Sequence, residues 1–398
     1  MKLCLHTRNF FLITFCYLVL PGISICQPNF WTTRLDSLAQ KSGYVPGSFR
    51  FGLYLQALEN KRVALVVNHT SIHQGKHLVD TLISSGIQIV KIFAPEHGFR
   101  GTAAEGEMVK SGLDAKTGIP IVSLYGKSKK PSKEMLKDVD VVLFDIQDVG
   151  ARFYTYISTM RLVMEACNEN HKQLIIADRF NPLGFCTAGP VMEKKFMSFV
   201  GAFPIPIVHG LTIGELAKMA IGEHWMRKGK QLKMRIIPCV GYKHSDTLFP
   251  EIPPSPNLTT PISILAYPSL CLFEGTNWSV GRGTSHPFQV FGFPDSTAGQ
   301  YTFVPGKKDS LQLKPLYYNT TCYGSRVTRD SITACFSLKF IIQAWNRKST
   351  DPAFFNSFFP RLAGNQWLKE HIKKGEYPVF DQTEWLKRRV KYLLYPQY

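Results

Sequence analysis

The sequence predicts an α/β fold: a Rossmann-like, doubly wound and mostly parallel sheet, followed by a second, mixed α+β domain. Three observations carry that prediction. Between Arg62 and Ala177, apolar β-branched runs alternate with helix-like segments, and strands separated by helices pair in parallel through right-handed crossovers. Each run breaks into polar residues at its C-terminal end, the edge where open parallel sheets bind ligands. After Gly210 the pattern changes, and beyond Gly222 come stretches richer in Pro, Gly and aromatic residues.

Taken in order, residues 62–67 form a first strand that exits into Asn68-His69-Thr70. A helix over 77–85 leads to a second strand, 87–93, which breaks abruptly at Pro95-Glu96-His97-Gly98. The third strand, 119–124, runs into Tyr125-Gly126-Lys127. After a helix at 132–138, a fourth strand, 139–146, ends in Asp145-Ile146-Gln147-Asp148 and continues to Arg152. A long helix from 154 to 170 precedes a strand at 173–177, which exits into Asp178-Arg179-Phe180-Asn181-Pro182. Thr212 and Glu215 then form a capping box at the start of another helix. This organisation divides the chain into a leader at 1–26, a catalytic Rossmann-like domain at 27–210 and an auxiliary domain at 211–398.

The leader has its own composition. Lys2 and Arg8 precede an apolar run over 10–20, followed by Pro21-Gly22 and a Ser24-Ile25-Cys26 cleavage site. Such a run is too short to span a bilayer and reads as a secretory signal peptide. A lipoprotein anchor on Cys26 fits less well, because Ile25 stands where those sites carry a small residue. The expectation is a secreted or periplasmic protein with no integral membrane segment in the mature chain.

Hydrophobic residues make up 44% of the chain and charged ones 19%, an ordinary globular balance. The formal charge is +18, and removing Lys2 and Arg8 with the leader leaves about +16. A charge of that size favours an anionic partner such as a cell wall or membrane surface. The basic tracts Lys127-Ser128-Lys129-Lys130 and Lys387-Arg388-Arg389 are short, which argues against nucleic acid. Of nine cysteines, Cys4, Cys16 and Cys26 belong to the leader, and the others form no C-x-x-C pair. An exported chain could pair Cys322 with Cys335; buried free thiols are the alternative.

Several chemistries are poorly supported. Gly126-Lys127-Ser128 resembles the end of a phosphate-binding loop, but Ile121 occupies the position of its leading glycine. His69, His73 and His77 have helical spacing, yet Gly75 interrupts any single helix, so no metal is assigned. No G-x-S-x-G elbow is present. Carboxylates remain. Cleaving a glycosidic bond requires a proton donor to the leaving oxygen and stabilisation of an oxocarbenium-like charge. Glu96, at the mouth of an apolar strand, is the leading candidate, and Asp145 and Asp148 end the neighbouring strand. Tyr125, Phe153, Tyr154, Tyr156, Trp278 and Phe288 offer aromatic faces for a sugar.

These residues carry a family resemblance. Ala94-Pro95-Glu96-His97-Gly98-Phe99-Arg100-Gly101, Ser123-Leu124-Tyr125-Gly126 and the run from Asp145 through Arg152 to Tyr156 resemble the NamZ-type exo-β-N-acetylmuramidase family. So do Asp178-Arg179-Phe180-Asn181-Pro182, Pro253-Pro254-Ser255-Pro256-Asn257 and the stretch from Phe273-Glu274 through Gly281-Arg282-Gly283 to Phe288. The motifs keep their order over nearly the whole mature chain. Phe180 stands where many relatives have Pro, and Val280 where some have Glu, so no carboxylate role transfers to that position.

The resemblance implies an exo-acting glycosidase that releases terminal β-N-acetylmuramic acid from the non-reducing ends of peptidoglycan fragments. It implies a cleft between the two domains, with Glu96 as the catalytic carboxyl and no cofactor. His97, Arg100, Tyr125, Arg152, Glu274 and Arg282 are the candidates for binding substrate, the arginines as clamps on the lactyl carboxylate of a muropeptide. The second catalytic group stays open among Asp145, Asp148, Glu274 and Tyr125. Two other readings stay open as well: a noncatalytic muropeptide-binding protein, and a metal-dependent phosphate-ester hydrolase.

Overall fold

The computed structural model describes residues 43–96, 98–100, 112–126, 128–226, 231–306, 314–348 and 351–398. The predicted leader, with its cleavage site, and His97 lie outside the described residues.

Among the described residues, seven strands build the main sheet: β1 (Val63–Val67), β2 (Ile89–Ala94), β3 (Gly112–Leu113), β4 (Pro120–Ser123), β5 (Val141–Asp145), β6 (Gln173–Ala177) and β7 (Met234–Ile237). They lie in the order β3-β4-β2-β1-β5-β6-β7. All neighbours pair in parallel except β3, which runs antiparallel to β4 at one edge. Helices α1 (Leu78–Ser84), α2 (Lys133–Leu136), α3 (Tyr156–Glu169) and α4 (Ile213–Gly222) connect them. The predicted strands and helices are all present, with ends displaced by a residue or two.

Successive strand residues point to opposite faces, and β1 shows the consequence. Val63, Leu65 and Val67 pack into one core, while Ala64 and Val66 pack into the other. In β5, Val141 and Leu143 face the first core, and Val142 and Phe144 the second. A strand buried on both faces needs an unbroken apolar run, which is the pattern found here.

The sheet continues past residue 211. Thr212 and Glu215 form the predicted capping box, with Glu215 N–H donating to Thr212 Oγ1 over 3.2 Å and Thr212 N–H to Glu215 Oε2 over 2.9 Å. The helix they start, α4, leads into β7, which pairs with β6. The sheet therefore ends at Ile237, past the point where the composition of the sequence changes.

The C-terminal part contains α5 (Pro261–Leu270), a three-stranded antiparallel sheet built from Val290–Phe293, Tyr301–Phe303 and Cys322–Arg326, and short helices including Phe359–Ala363. Its core is continuous with the core on the α3 face of the main sheet: Met160, Leu216, Phe273, Trp278 and Phe291 belong to one buried cluster. The chain end returns to the first domain, where Tyr395 Oη donates to Asp178 over 2.7 Å.

One sequence expectation is corrected here. Cys335 pairs with Cys186, 149 residues away, and Cys322 is a buried free thiol inside a strand. The fold brings a first-domain turn against the second domain, a pairing that spacing along the chain does not show. Closing so long a loop restrains the unfolded chain. Cys186→Ser is expected to lower unfolding stability by about 2–4 kcal/mol, read from the urea midpoint; an unchanged midpoint would show the bridge to be inert.

Candidate active site

The site starts where β2 ends. Pro95 stops the strand after Ala94, and Gly98, at φ 77°, lets the chain turn back with its N–H on Pro95 O at 3.1 Å. Glu96 sits in that turn, 8% exposed. Thr155 occupies the N-cap of α3 but its hydroxyl caps nothing there; it donates to Glu96 Oε2 over 2.6 Å. The positive end of the α3 dipole faces the same carboxylate. Tyr125, at the exit of β4, donates its hydroxyl to Glu96 as well, and burial together with the Glu96 charge holds that hydroxyl protonated well above its ordinary range.

A second layer fixes this turn. Asn68, at the exit of β1, donates from Nδ2 to Tyr156 Oη over 2.8 Å. Tyr154 and Tyr156 donate to Pro254 O over 2.7 and 3.3 Å. The strand ends therefore pin the Pro-rich segment that forms one lip of the cleft.

The opposite wall comes from the C-terminal domain. Glu274 lies in the turn Cys271–Gly275 after α5, and Arg282 grips its Oε1 with Nε at 2.6 Å and Nη2 at 2.5 Å. Arg282 also lies over the Phe288 ring, 4.8 Å from its centroid. Burial pushes the Glu274 carboxyl up to about 7, and the Glu96 charge adds to the shift. Burial lowers Arg282 to about 10, against the pull of Glu96. The two carboxyls thus sense each other across a cleft of about 920 Å³, a size suited to one or two sugar rings.

Of the predicted site residues, Glu96, Tyr125, Glu274 and Arg282 converge on this cleft. Four others are placed elsewhere. Asp145 is fully buried in a bidentate pair with Arg179, at 2.5 and 2.9 Å, beneath the sheet edge. Asp148 is buried and accepts from Gly150 N–H at 2.7 Å, and burial pushes its carboxyl up to about 7. Arg152 is fully buried and donates to the carbonyls of Pro190, Ile205, Leu362 and Ala363 over 2.7–2.9 Å. Arg100 is held by Asp114 through two contacts of 2.9 Å, which bring that carboxyl down to about 2. Asp145, Arg152 and Arg100 have their partners inside the protein, Asp148 is bound on one oxygen only, and none of the four lines the cleft.

Two contributors were not singled out from sequence. Thr155 lies inside a quoted motif, where a hydroxyl beside a helix start was the available signal. Arg361, on the helix Phe359–Ala363, lines the cleft from a stretch with no motif at all.

Comparison with known proteins identifies the family. Sequence models described as the N- and C-terminal parts of the exo-beta-N-acetylmuramidase NamZ match residues 63–262 and 265–395. The peptidoglycan beta-N-acetylmuramidase NamZ of Bacillus subtilis strain 168 is 38% identical over 380 residues, covering 86% of this chain and 89% of its own. A crystal structure of a DUF1343 family protein from Bacteroides fragilis superposes with a TM-score of 0.81 at 38% identity, over 90% of this chain and 100% of that one. A second B. fragilis DUF1343 structure gives 0.75 at 29% identity, over 88% and 99%. With both halves matched in order, the chain belongs to the NamZ family of exo-β-N-acetylmuramidases and is a glycoside hydrolase.

Proposed function

We propose that this enzyme removes single N-acetylmuramic acid residues from the non-reducing ends of peptidoglycan fragments, with Glu96 as the proton-transferring carboxyl. One observation carries the reading: a nearly buried glutamate, held by two hydroxyl donors, faces a carboxylate–guanidinium pair from the other domain across a sugar-sized cleft.

The chemistry follows from that arrangement. In this reading Glu96 protonates the glycosidic oxygen as its bond to the anomeric carbon breaks, and water adds to that carbon, its released proton returning to the cleft carboxylates. Glu274, fixed by Arg282, then faces the positive charge developing on the ring. Tyr125 stays protonated, which suits a hydrogen-bond donor and not a nucleophile. Of the four candidates for a second catalytic group, Glu274 is thus the one favoured by position and charge.

Export through the leader at 1–26 fits the same picture, since the disulfide Cys186–Cys335 belongs to an oxidising compartment and a basic protein is drawn to an anionic wall. The deciding experiment is product analysis on two isomeric disaccharides. Free N-acetylmuramic acid should appear from the one with that sugar at its non-reducing end and not from its reverse isomer. Release of N-acetylglucosamine, or cleavage inside longer glycans at equal rate, would overturn the proposal.

A further inference from the structure

Muramic acid differs from glucosamine by one group, a lactyl ether whose carboxylate is negative at neutral pH. An enzyme that selects it needs a cation in the cleft that no protein carboxylate has already taken. Among the described residues, four cations line the cleft: Lys129, Arg282, Lys314 and Arg361. Arg282 is committed to Glu274. Lys129 lies over the Phe199 ring at 4.3 Å, and Lys314 over Tyr318 at 5.4 Å. Arg361 is exposed and, among the described residues, has no side-chain hydrogen bond or ion pair. Its planar fork also matches a carboxylate in two-point geometry, which an ammonium does not.

The position of Arg361 is unusually well fixed for a residue on a five-residue helix. Buried Arg152 holds the carbonyls of Leu362 and Ala363, the two residues that follow it, over 2.8 and 2.9 Å. On the other side, the helix is pressed against the turn that carries Glu274: a Cβ added to Gly275 would lie 2.5 Å from Phe359 Cα. Asn356 laces the same two elements, donating from Nδ2 to the carbonyls of Glu274 and Thr276 over 3.2 Å each. The helix bearing Arg361 is thereby tied to the wall that carries Glu274.

We propose that Arg361 is the specificity-determining residue of this cleft, clamping the lactyl carboxylate of the terminal sugar. The inference rests on the muramidase reading above. It is tested with wild type, Arg361→Gln and Arg361→Lys on p-nitrophenyl β-N-acetylmuraminide and on the same compound with its lactyl group capped as the N-methylamide. Wild type should favour the free acid by on the order of 30-fold in kcat/KM, the worth of a charge-assisted contact. Arg361→Gln should lose that preference, mainly through KM on the acid, with little change on the amide and an unchanged melting temperature. Lysine should restore part of it. Equal loss on both substrates, or an unchanged preference in Arg361→Gln, would overturn the assignment while leaving the muramidase reading intact. A wild type inert on the acid would overturn both.

Discussion

Glu96→Gln is expected to lower kcat/KM on a muramic-acid-terminated disaccharide by on the order of 10³-fold, the usual worth of a positioned general acid, without altering the melting temperature. Glutamine has nearly the same volume and still offers Thr155 an acceptor, so the turn after β2 keeps its main side-chain contact. What is lost is the proton. The size of the loss should therefore depend on the leaving group: large for a sugar alcohol and much smaller for a nitrophenol, which departs without protonation. A loss equally large with both leaving groups would point to a carboxylate that attacks or stabilises the ring. Full activity in the variant would remove Glu96 from the chemistry and with it the proposed mechanism.

Much of the fold and of the candidate site is legible in the sequence, and what is not has a physical cause. The strands were readable because burial on both faces demands unbroken apolar runs, and their exits because Pro95 and the polar clusters break them. Glu96 was readable for the same reason. The sequence shows that a charged residue stands at a strand end; whether another charge meets it there is not local information. Asp145 is the last residue of β5, and its partner Arg179 comes from the exit of β6. Arg152 lies in the motif that also supplies Thr155, yet two of its acceptors are more than 200 positions away, on the helix that carries Arg361. The disulfide failed to show for the same reason: Cys186 meets a cysteine 149 residues distant. Side chains whose partners come from distant sequence read as available when they are already taken.

Arg152 gives the second large expectation. Arg152→Met should cost about 3–5 kcal/mol of unfolding stability, the range seen when one partner of a buried, charged hydrogen-bond set is removed. Methionine replaces the stem but leaves the carbonyls of Pro190, Ile205, Leu362 and Ala363 with no donor from this side chain, in a position fully shielded from water. Lysine should rescue little, since one ammonium cannot reproduce a fork that serves acceptors on three separate segments. The same substitution carries a functional signature that lost packing alone would not produce. Leu362 and Ala363 end the helix bearing Arg361, so folded Arg152→Met should show a raised KM on the free-acid muraminide and a smaller preference over the lactyl amide. Urea titration gives the first quantity, and steady-state kinetics below the transition the second. If stability falls while the acid-over-amide preference holds, Arg152 fastens the two domains without setting the place of Arg361. If neither moves, the four hydrogen bonds contribute nothing that water cannot replace.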